Sequence, residues 1–322
     1  MLNYSNFVLQ INKLEIFDKN SRIAVGVSGG VDSITLVYLL SRWAKIKNFK
    51  IIALIVDHKL RTDSSIESKQ VSSYLSSINI ENKILTLKNY KIKSGIQANA
   101  RSARLKIIQK YCLKNNIIHL FYGHHLNDNL ETFVLRKVSG SNIEGLNSIN
   151  FLAVNEKILI IRPLLNFSRN EIKIFAIKNN LNWIEDPSNK KMIYSRSIVR
   201  SIIFNNKKIE NNLINELKSF KGIYNDYNQM INIALVYVIS FISSKYIELD
   251  KKVFSQLPPE IALKVLVKLV GFLKNDKKNF KYLKLLAIYK ALIKKPGKFQ
   301  TQKTIFLNMP DKLIIFPSNK IY

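Results

Sequence analysis

Ser28-Gly29-Gly30-Val31-Asp32-Ser33 is the stretch on which the fold turns. The apolar run Ile23–Val27 precedes it and a helix-forming stretch to about Trp43 follows, so it is a strand–loop–helix turn. Gly29 and Gly30 open backbone angles closed to other residues and let a ligand come close to the chain. The helix behind them presents free N–H groups and a positive dipole end, which suits a pyrophosphate. Ser28 and Ser33 add hydroxyl donors. Asp32 would repel a phosphate unless a divalent cation stood between them, and Mg²⁺ is the expected bridge. No GxxxxGK[ST] pattern occurs, so the loop is not of the Walker type.

Outward from the loop, Ile51–Val56, Lys83–Leu87 and Ile117–Tyr122 read as further strands. Helices are expected over Ser64–Ile78, Ile96–Tyr111 and Leu126–Val138. Strand alternating with helix predicts an α/β fold built on a parallel sheet, with its site beyond the carboxyl ends of the strands. From Glu210 the apolar residues recur at helical spacing, interrupted by Pro258-Pro259 and Pro296-Gly297, and Thr304–Leu307 and Leu313–Phe316 look strand-like. The expected division is a catalytic domain over 1–210 and a smaller, mainly helical domain over 211–322 with short C-terminal strands.

The 322 residues are 47% hydrophobic, enough for a sizeable core. Lys and Arg number 51 against 22 Asp and Glu, a formal charge of +29, and such an excess attracts polyanions, nucleic acid first. The Lys, Asn and Ile bias also matches AT-rich codon usage, which inflates the charge. Cys112 is the only cysteine, which excludes an internal disulfide or a Cys-x-x-Cys site and fits a reducing compartment. The N-terminus carries no targeting pattern, and the longest apolar stretch, Ile231–Ile242, is short of the ~20 residues that span a bilayer. It reads as a buried helix, and a cytoplasmic protein with no membrane partner is expected.

Four further segments stand at or near the expected strand ends. Val56-Asp57-His58-Lys59-Leu60-Arg61 closes the second strand. Gln97–Arg104 places Arg101 and Arg104 on one helical face, suited to phosphate. Gly123-His124-His125-Leu126-Asn127-Asp128-Asn129-Leu130-Glu131-Thr132 closes the fourth strand and turns His124, His125, Asp128, Glu131 and Thr132 toward the loop at i,i+3 and i,i+4 spacings. The last comprises Arg162-Pro163-Leu164-Leu165, Arg169-Asn170-Glu171-Ile172, Trp183–Asn189 with its Asp186-Pro187-Ser188-Asn189 core, and Tyr194-Ser195-Arg196.

The Ser28–Ser33 loop resembles the signature of the ATP-pyrophosphatase, or PP-loop, superfamily. Across about residues 20–204 the whole set resembles the tRNA(Ile)-lysidine synthases, with a length like the family's short form. The resemblance implies a Rossmann-like PP-loop domain that uses ATP and Mg²⁺. It also implies a reaction in which ATP adenylates C2 oxygen of the first anticodon cytidine of tRNA(Ile) with a CAU anticodon. The ε-amine of free L-lysine then displaces AMP. On that footing ATP is held by Ser28, Gly29, Gly30, Val31, Asp32, Ser33, Asp57 and Arg104, with Asp32 also on Mg²⁺. Catalysis falls to Asp32, Asp128, His125 and Arg101, and His124, Glu131 and Thr132 lie on the lysine and cytidine side. The lysine amine has a pKa near ~10.4 and must lose a proton before it attacks, so a base is required, and Asp128 with support from His125 is the candidate.

Lys190, Lys191, Arg196, Arg200, Lys207 and Lys208 are placed for tRNA, and Lys277, Lys278, Lys281, Lys284, Lys290, Lys294, Lys295 and Lys298 load the second domain around Tyr282 and Tyr289. A homodimer stays open. The family's usual double Asp after the histidines is Asn127-Asp128 here, its following Gln is Asn129, and its later Arg-Asn is Arg196-Ser197.

Plainer readings stand beside these. Either histidine can be structural at a helix start, Asp128 can serve the helix dipole, the arginines can be solvated, Asp186 and Asp63 can be caps, and the aromatic residues can be core. The rivals are a PP-loop tRNA thiolase, which a single cysteine disfavours, a small-molecule synthetase, which needs no such charge, and a non-catalytic RNA-binding protein, which would tolerate loss of Asp32.

Overall fold

The computed structural model describes residues 1–59, 63–87, 96–184, 194–274, 282–301 and 304–318; the side chains of 96–101, 194–197, 274 and 282–283 lie outside the description. The chain divides into two compact units, Met1–Leu217 and Lys218–Tyr322.

The first unit runs α1 (Tyr4–Asn12), β1 (Arg22–Val27), α2 (Val31–Lys47), β2 (Lys50–Asp57), α3 (Ser64–Ser77), β3 (Asn82–Thr86), α4 (Ile96–Lys114), β4 (His119–Tyr122), α5 (Leu126–Val138), α6 (Ile143–Leu146), β5 (Leu152–Asn155), β6 (Ile158–Ile161), α7 (Arg169–Lys178) and α8 (Tyr194–Phe204), then enters α9 (Lys207–Val238). Among the described residues its strands form a six-stranded sheet in the order β3-β2-β1-β4-β6-β5. All pairs are parallel except β5 with β6 at one edge.

Alternation along β1 explains its unbroken apolar sequence. Ile23, Val25 and Val27 join a core with Trp43 and Phe121 on one face, while Ala24 joins Ile52, Leu54, Ile108, Cys112 and Leu120 on the other. A parallel strand covered on both faces has no polar side to show. The chain steps from β1 to β2 to β3 in one direction, then returns to lay β4 against the other side of β1. Strand order therefore reverses between β1 and β4, and a crevice opens at their carboxyl ends.

Gly123 sits in that crevice. A Cβ built there would lie 3.0 Å from the Asp32 carbonyl oxygen and 3.2 Å from the Ser33 nitrogen. The exit from β4 and the first turn of α2 thus meet backbone to backbone, closer than a Cβ fits unless the α2 turn shifts by a few tenths of an ångström.

The second unit holds the remainder of α9, then β7 (Ile239–Ile242), β8 (Ile247–Asp250), α10 (Lys251–Gln256), α11 (Pro259–Lys274), α12 (Tyr282–Lys294), β9 (Gly297–Thr301), β10 (Thr304–Asn308) and β11 (Lys312–Pro317). Its strands form an antiparallel five-stranded sheet in the order β7-β8-β11-β10-β9. Leu263, Leu266 and Val270 of α11 and Leu285 and Tyr289 of α12 pack with Phe306 and Ile315. Buried Asn308 donates to the carbonyls of Leu292 and Lys295, 2.7 Å each, and so satisfies the end of α12.

The unit carries more strand than the two short C-terminal segments its sequence suggests. Ile231–Ile242 is not one buried helix. α9 ends at Val238 and the last four residues are β7. Ile231, Ala234 and Val238 face the core, whereas Val236 and Tyr237 are 77% and 72% exposed. No helix among the described residues is long and apolar enough to cross a membrane.

Gly123→Ala should cost about 1–3 kcal/mol by overpacking. Urea unfolding followed by circular dichroism measures this, and an unchanged midpoint would show that the α2 turn gives way.

Candidate active site

Three strand exits build one site. After β1, Gly29 adopts φ 87°, the left-handed region that favours glycine. Gly30 is the N-cap of α2 and offers no side chain to the first-turn N–H groups. Ser33 closes the loop from inside: its Oγ accepts the Ser28 N–H at 3.2 Å and donates to the Gly30 carbonyl at 2.9 Å. Ser28 Oγ lies 3.3 Å from Ser33 Oγ and is exposed. Ser33 therefore shapes the loop, and Ser28, whose hydroxyl donates to Ser33 Oγ, is the more exposed of the two. A further clamp comes from the Ile184 N–H, which donates to the Gly29 carbonyl at 3.0 Å.

After β2, Asp57 is buried and its carboxylate organises the turn. Oδ1 accepts from the Lys59 N–H at 3.1 Å and the Ser64 hydroxyl at 2.8 Å, and Oδ2 from the Ser65 hydroxyl at 2.6 Å. Burial pushes its pKa up, but these three donors outweigh burial and hold it below the ordinary 3.8.

After β4, His125 caps α5. Its N–H donates to Asp128 Oδ2 at 3.1 Å while the Asp128 N–H donates to His125 Nδ1 at 3.4 Å. With Nδ1 accepting, the proton of the neutral ring is assigned to Nε2. Nε2 stands 3.5 Å from Asp128 Oδ2 and 3.8 Å from Asp32 Oδ2. The buried imidazole thus lies between two carboxylates from different helices. Asp32 Oδ1 is buried and has no hydrogen-bond partner among the described residues. Burial is the main reason that the Asp32 pKa is raised above 3.8, with Asp128 adding to it and His125 and Arg169 opposing. Such a carboxylate is suited to a cation.

A cavity of about 730 Å³ opens over these exits. Its lining mixes polar residues, among them Ser28, Asp32, Arg104 and Asn127, with apolar Val27, Val31, Val56, Val71, Trp183, Ile184 and Phe204, which suit a nucleotide base.

The remaining expected residues fall as follows. His124 Nδ1 accepts from Arg162 Nε at 3.3 Å. Glu131 is buried and paired with Arg200 Nε, which joins α5 to α8. Thr132 Oγ1 donates to the Asp128 carbonyl at 2.8 Å, within its own helix. Lys207 pairs with Glu210 at 2.8 Å, and Lys208 is exposed. Lys190 and Lys191, the side chains of Arg101 and Arg196, Asp186 with its turn, Lys277, Lys278, Lys281 and the side chain of Tyr282 lie outside the described residues. Among the described residues no group of three or more His, Cys, Asp or Glu is arranged to hold a metal. The lining residues Glu67, Arg169 and Lys173 went unassigned in the sequence reading. Arg169 was visible as part of a motif, but only the fold brings α7 beside Asp32.

A strand–phosphate loop–helix turn at the switch point of a parallel sheet defines a nucleotide-binding α/β domain. A family model described as a PP-loop domain matches residues 3–207, and the chain belongs to the PP-loop family of ATP-binding domains. It is similar to a protein of Wolbachia pipientis wMel named tRNA(Ile)-lysidine synthase, 36% identical over 281 residues that cover 86% of this chain and 65% of the relative. A protein of the same name from Orientia tsutsugamushi is 32% identical over 272 residues, 81% of this chain and 61% of that one. The chain therefore spans less than two thirds of the length of these curated relatives. Among solved structures, the U34-tRNA thiolase NcsA from Methanococcus maripaludis with its [4Fe-4S] cluster shares the fold, with a TM-score of 0.60 at 20% identity, covering 69% of this chain and 79% of that one.

The two aspartates predict opposite responses to acid. Ionising Asp32 opposes folding, a penalty present above its raised pKa and absent below 3.8. Asp57 contributes stability that is complete above 3.8 and lost as pH falls through its lower folded value. Asp32→Asn should therefore melt higher than the wild type at pH 7, and the gap should narrow as pH falls toward 4. Thermal melts across that range check this; a gap that is constant or grows on acidification would contradict it.

Proposed function

We propose that the chain carries tRNA(Ile)-lysidine synthase activity, joining free lysine to the first anticodon cytidine of a tRNA(Ile) with a CAU anticodon. The supporting observation is a cavity over the phosphate loop that Asp32 lines, with His125 and Asp128 beside Asp32, in a chain similar to proteins of that name. Phosphates of ATP would lie on the Ser28–Ser33 backbone at the start of α2, with the base against the apolar wall. Arg104, with Arg101, would compensate phosphate charge.

Mg²⁺ fits the chemistry here, because it is commonly held by one or two carboxylates together with phosphate and water. Asp32, with an unsatisfied buried oxygen, would hold it, and the ion would neutralise phosphate charge.

In the first step the cytidine C2 oxygen bonds to the α-phosphorus, and the bond to the bridging oxygen breaks with its electron pair leaving on pyrophosphate. In the second the lysine ε-nitrogen bonds to C2, the C2–O bond breaks, and AMP departs with that oxygen. The amine gives up its protons on the way, and Asp128 would take one. His125, lying between the two carboxylates, would support Asp128. Glu131, with Arg200, and Thr132 and His124 would shape the lysine and cytidine side. The exposed lysines after α8, including Lys207 and Lys208, and the basic second unit would hold tRNA phosphates.

Sulfur transfer is the rival activity, and one observation weighs against it. The chain's single cysteine, Cys112, is fully buried, and burial pushes its pKa up to about 12.

Incubating the protein with ATP, Mg²⁺, radiolabelled lysine and this tRNA should label the tRNA and release AMP. ATP turnover on another acceptor with no lysine incorporated would defeat the proposal. Asp32→Ala should slow AMP release on the order of 10²-fold or more, with tRNA affinity changing little.

A further inference from the structure

We propose that Arg169 and Lys173, one turn apart on α7, form a second anion-holding wall of the cavity. Their ligand is the pyrophosphate that leaves ATP, and Asn127 sets the wall in place. This rests on the adenylating reading above.

Both cations line the same cavity as Ser28, Gly30, Asp32 and Arg104. Their i,i+4 spacing puts them on one helix face. Neither the Arg169 guanidinium nor the Lys173 ammonium has a hydrogen-bond or ion-pair partner among the described residues, although Arg169 is close enough for its charge to act on Asp32. Two uncompensated cations facing a phosphate loop across a cavity suit a polyanion. Breaking the bond between the α-phosphorus and the bridging oxygen leaves an added negative charge on that oxygen, and positioned cations stabilise such a charge most as it develops. Both side chains are exposed at the rim, so the product has a way out.

The wall is fixed from beneath. Ser168 and Glu171 form a capping box that sets the start of α7. The Arg169 N–H donates to Asn127 Oδ1 at 2.9 Å, and the Leu126 N–H donates to the Phe167 carbonyl at 2.9 Å. The first turns of α5 and α7 are thereby laced together, with Asp128 on one and Arg169 on the other. A neutral amide at 127 makes this tie without adding negative charge beside a site for phosphate. Asn127 is in this sense a positioning residue.

Titration calorimetry of the intact chain with inorganic pyrophosphate and, separately, AMP tests the assignment. Arg169→Ala and Lys173→Ala should each weaken pyrophosphate about tenfold and leave AMP nearly unchanged. Arg169→Lys should recover part of the loss, and Asn127→Ala should shift pyrophosphate in the same direction as Arg169→Ala. Pyrophosphate affinity unchanged in both alanine variants, or pyrophosphate and AMP weakened alike, would overturn the α7 wall. If the α7 wall fails this test while the wild type incorporates labelled lysine and releases AMP in the assay above, the lysidine reading survives; a wild type that neither binds ATP nor incorporates lysine would take both down.

Discussion

Everything at the site depends on a backbone contact that leaves little room for a side chain. Where the exit of β4 passes the first turn of α2, Gly123 lies against Asp32 and Ser33. That closeness lets His125, two residues on, reach Asp32 while it caps α5. The strand order supplies the crevice, and glycine lets its two sides approach until His125 Nε2 is 3.8 Å from Asp32 Oδ2. A phosphate loop and a carboxylate–imidazole cluster, encoded about ninety residues apart, become one site for that reason.

Much of the first unit was legible because its signals are local. Ser28–Ser33 is a contiguous turn, and β1 and β2 are apolar runs whose burial on both faces leaves nothing else for the sequence to express. Relations between segments were less legible. Asp57 reads as a ligand contact beside a phosphate loop, but serines from the following helix occupy its oxygens. Glu131 and Arg200 read as separate charges and stand as a pair. Asn127 and Asn129 read as departures from a pattern, yet each accepts a backbone N–H from a distant segment, Arg169 and Ile149 respectively. In the second unit β7 was hidden because Ile239–Ile242 continues the apolar character of α9 without a break in composition.

Asp57 and Asp32 show how one residue type is given opposite characters. Asp57 is surrounded by donors and is stable as an anion, so it supports the fold. Asp32 is half-buried, with its Oδ1 buried and unsatisfied and another carboxylate nearby, so its charge is poorly served by the protein. Stability forgone at one carboxylate and gained at another at the end of the neighbouring strand separates a ligand-seeking group from a scaffolding one.

The burial of Cys112 reaches beyond sulfur chemistry. Its thiol is packed between Ile108, Ile117 and the sheet, and it stays protonated at any ordinary pH. Oxidants and alkylating dyes that require a thiolate will pass it by. The chain is therefore a silent background for labelling: a single cysteine placed on its surface would carry a fluorophore or spin label alone, with no native residue to remove first.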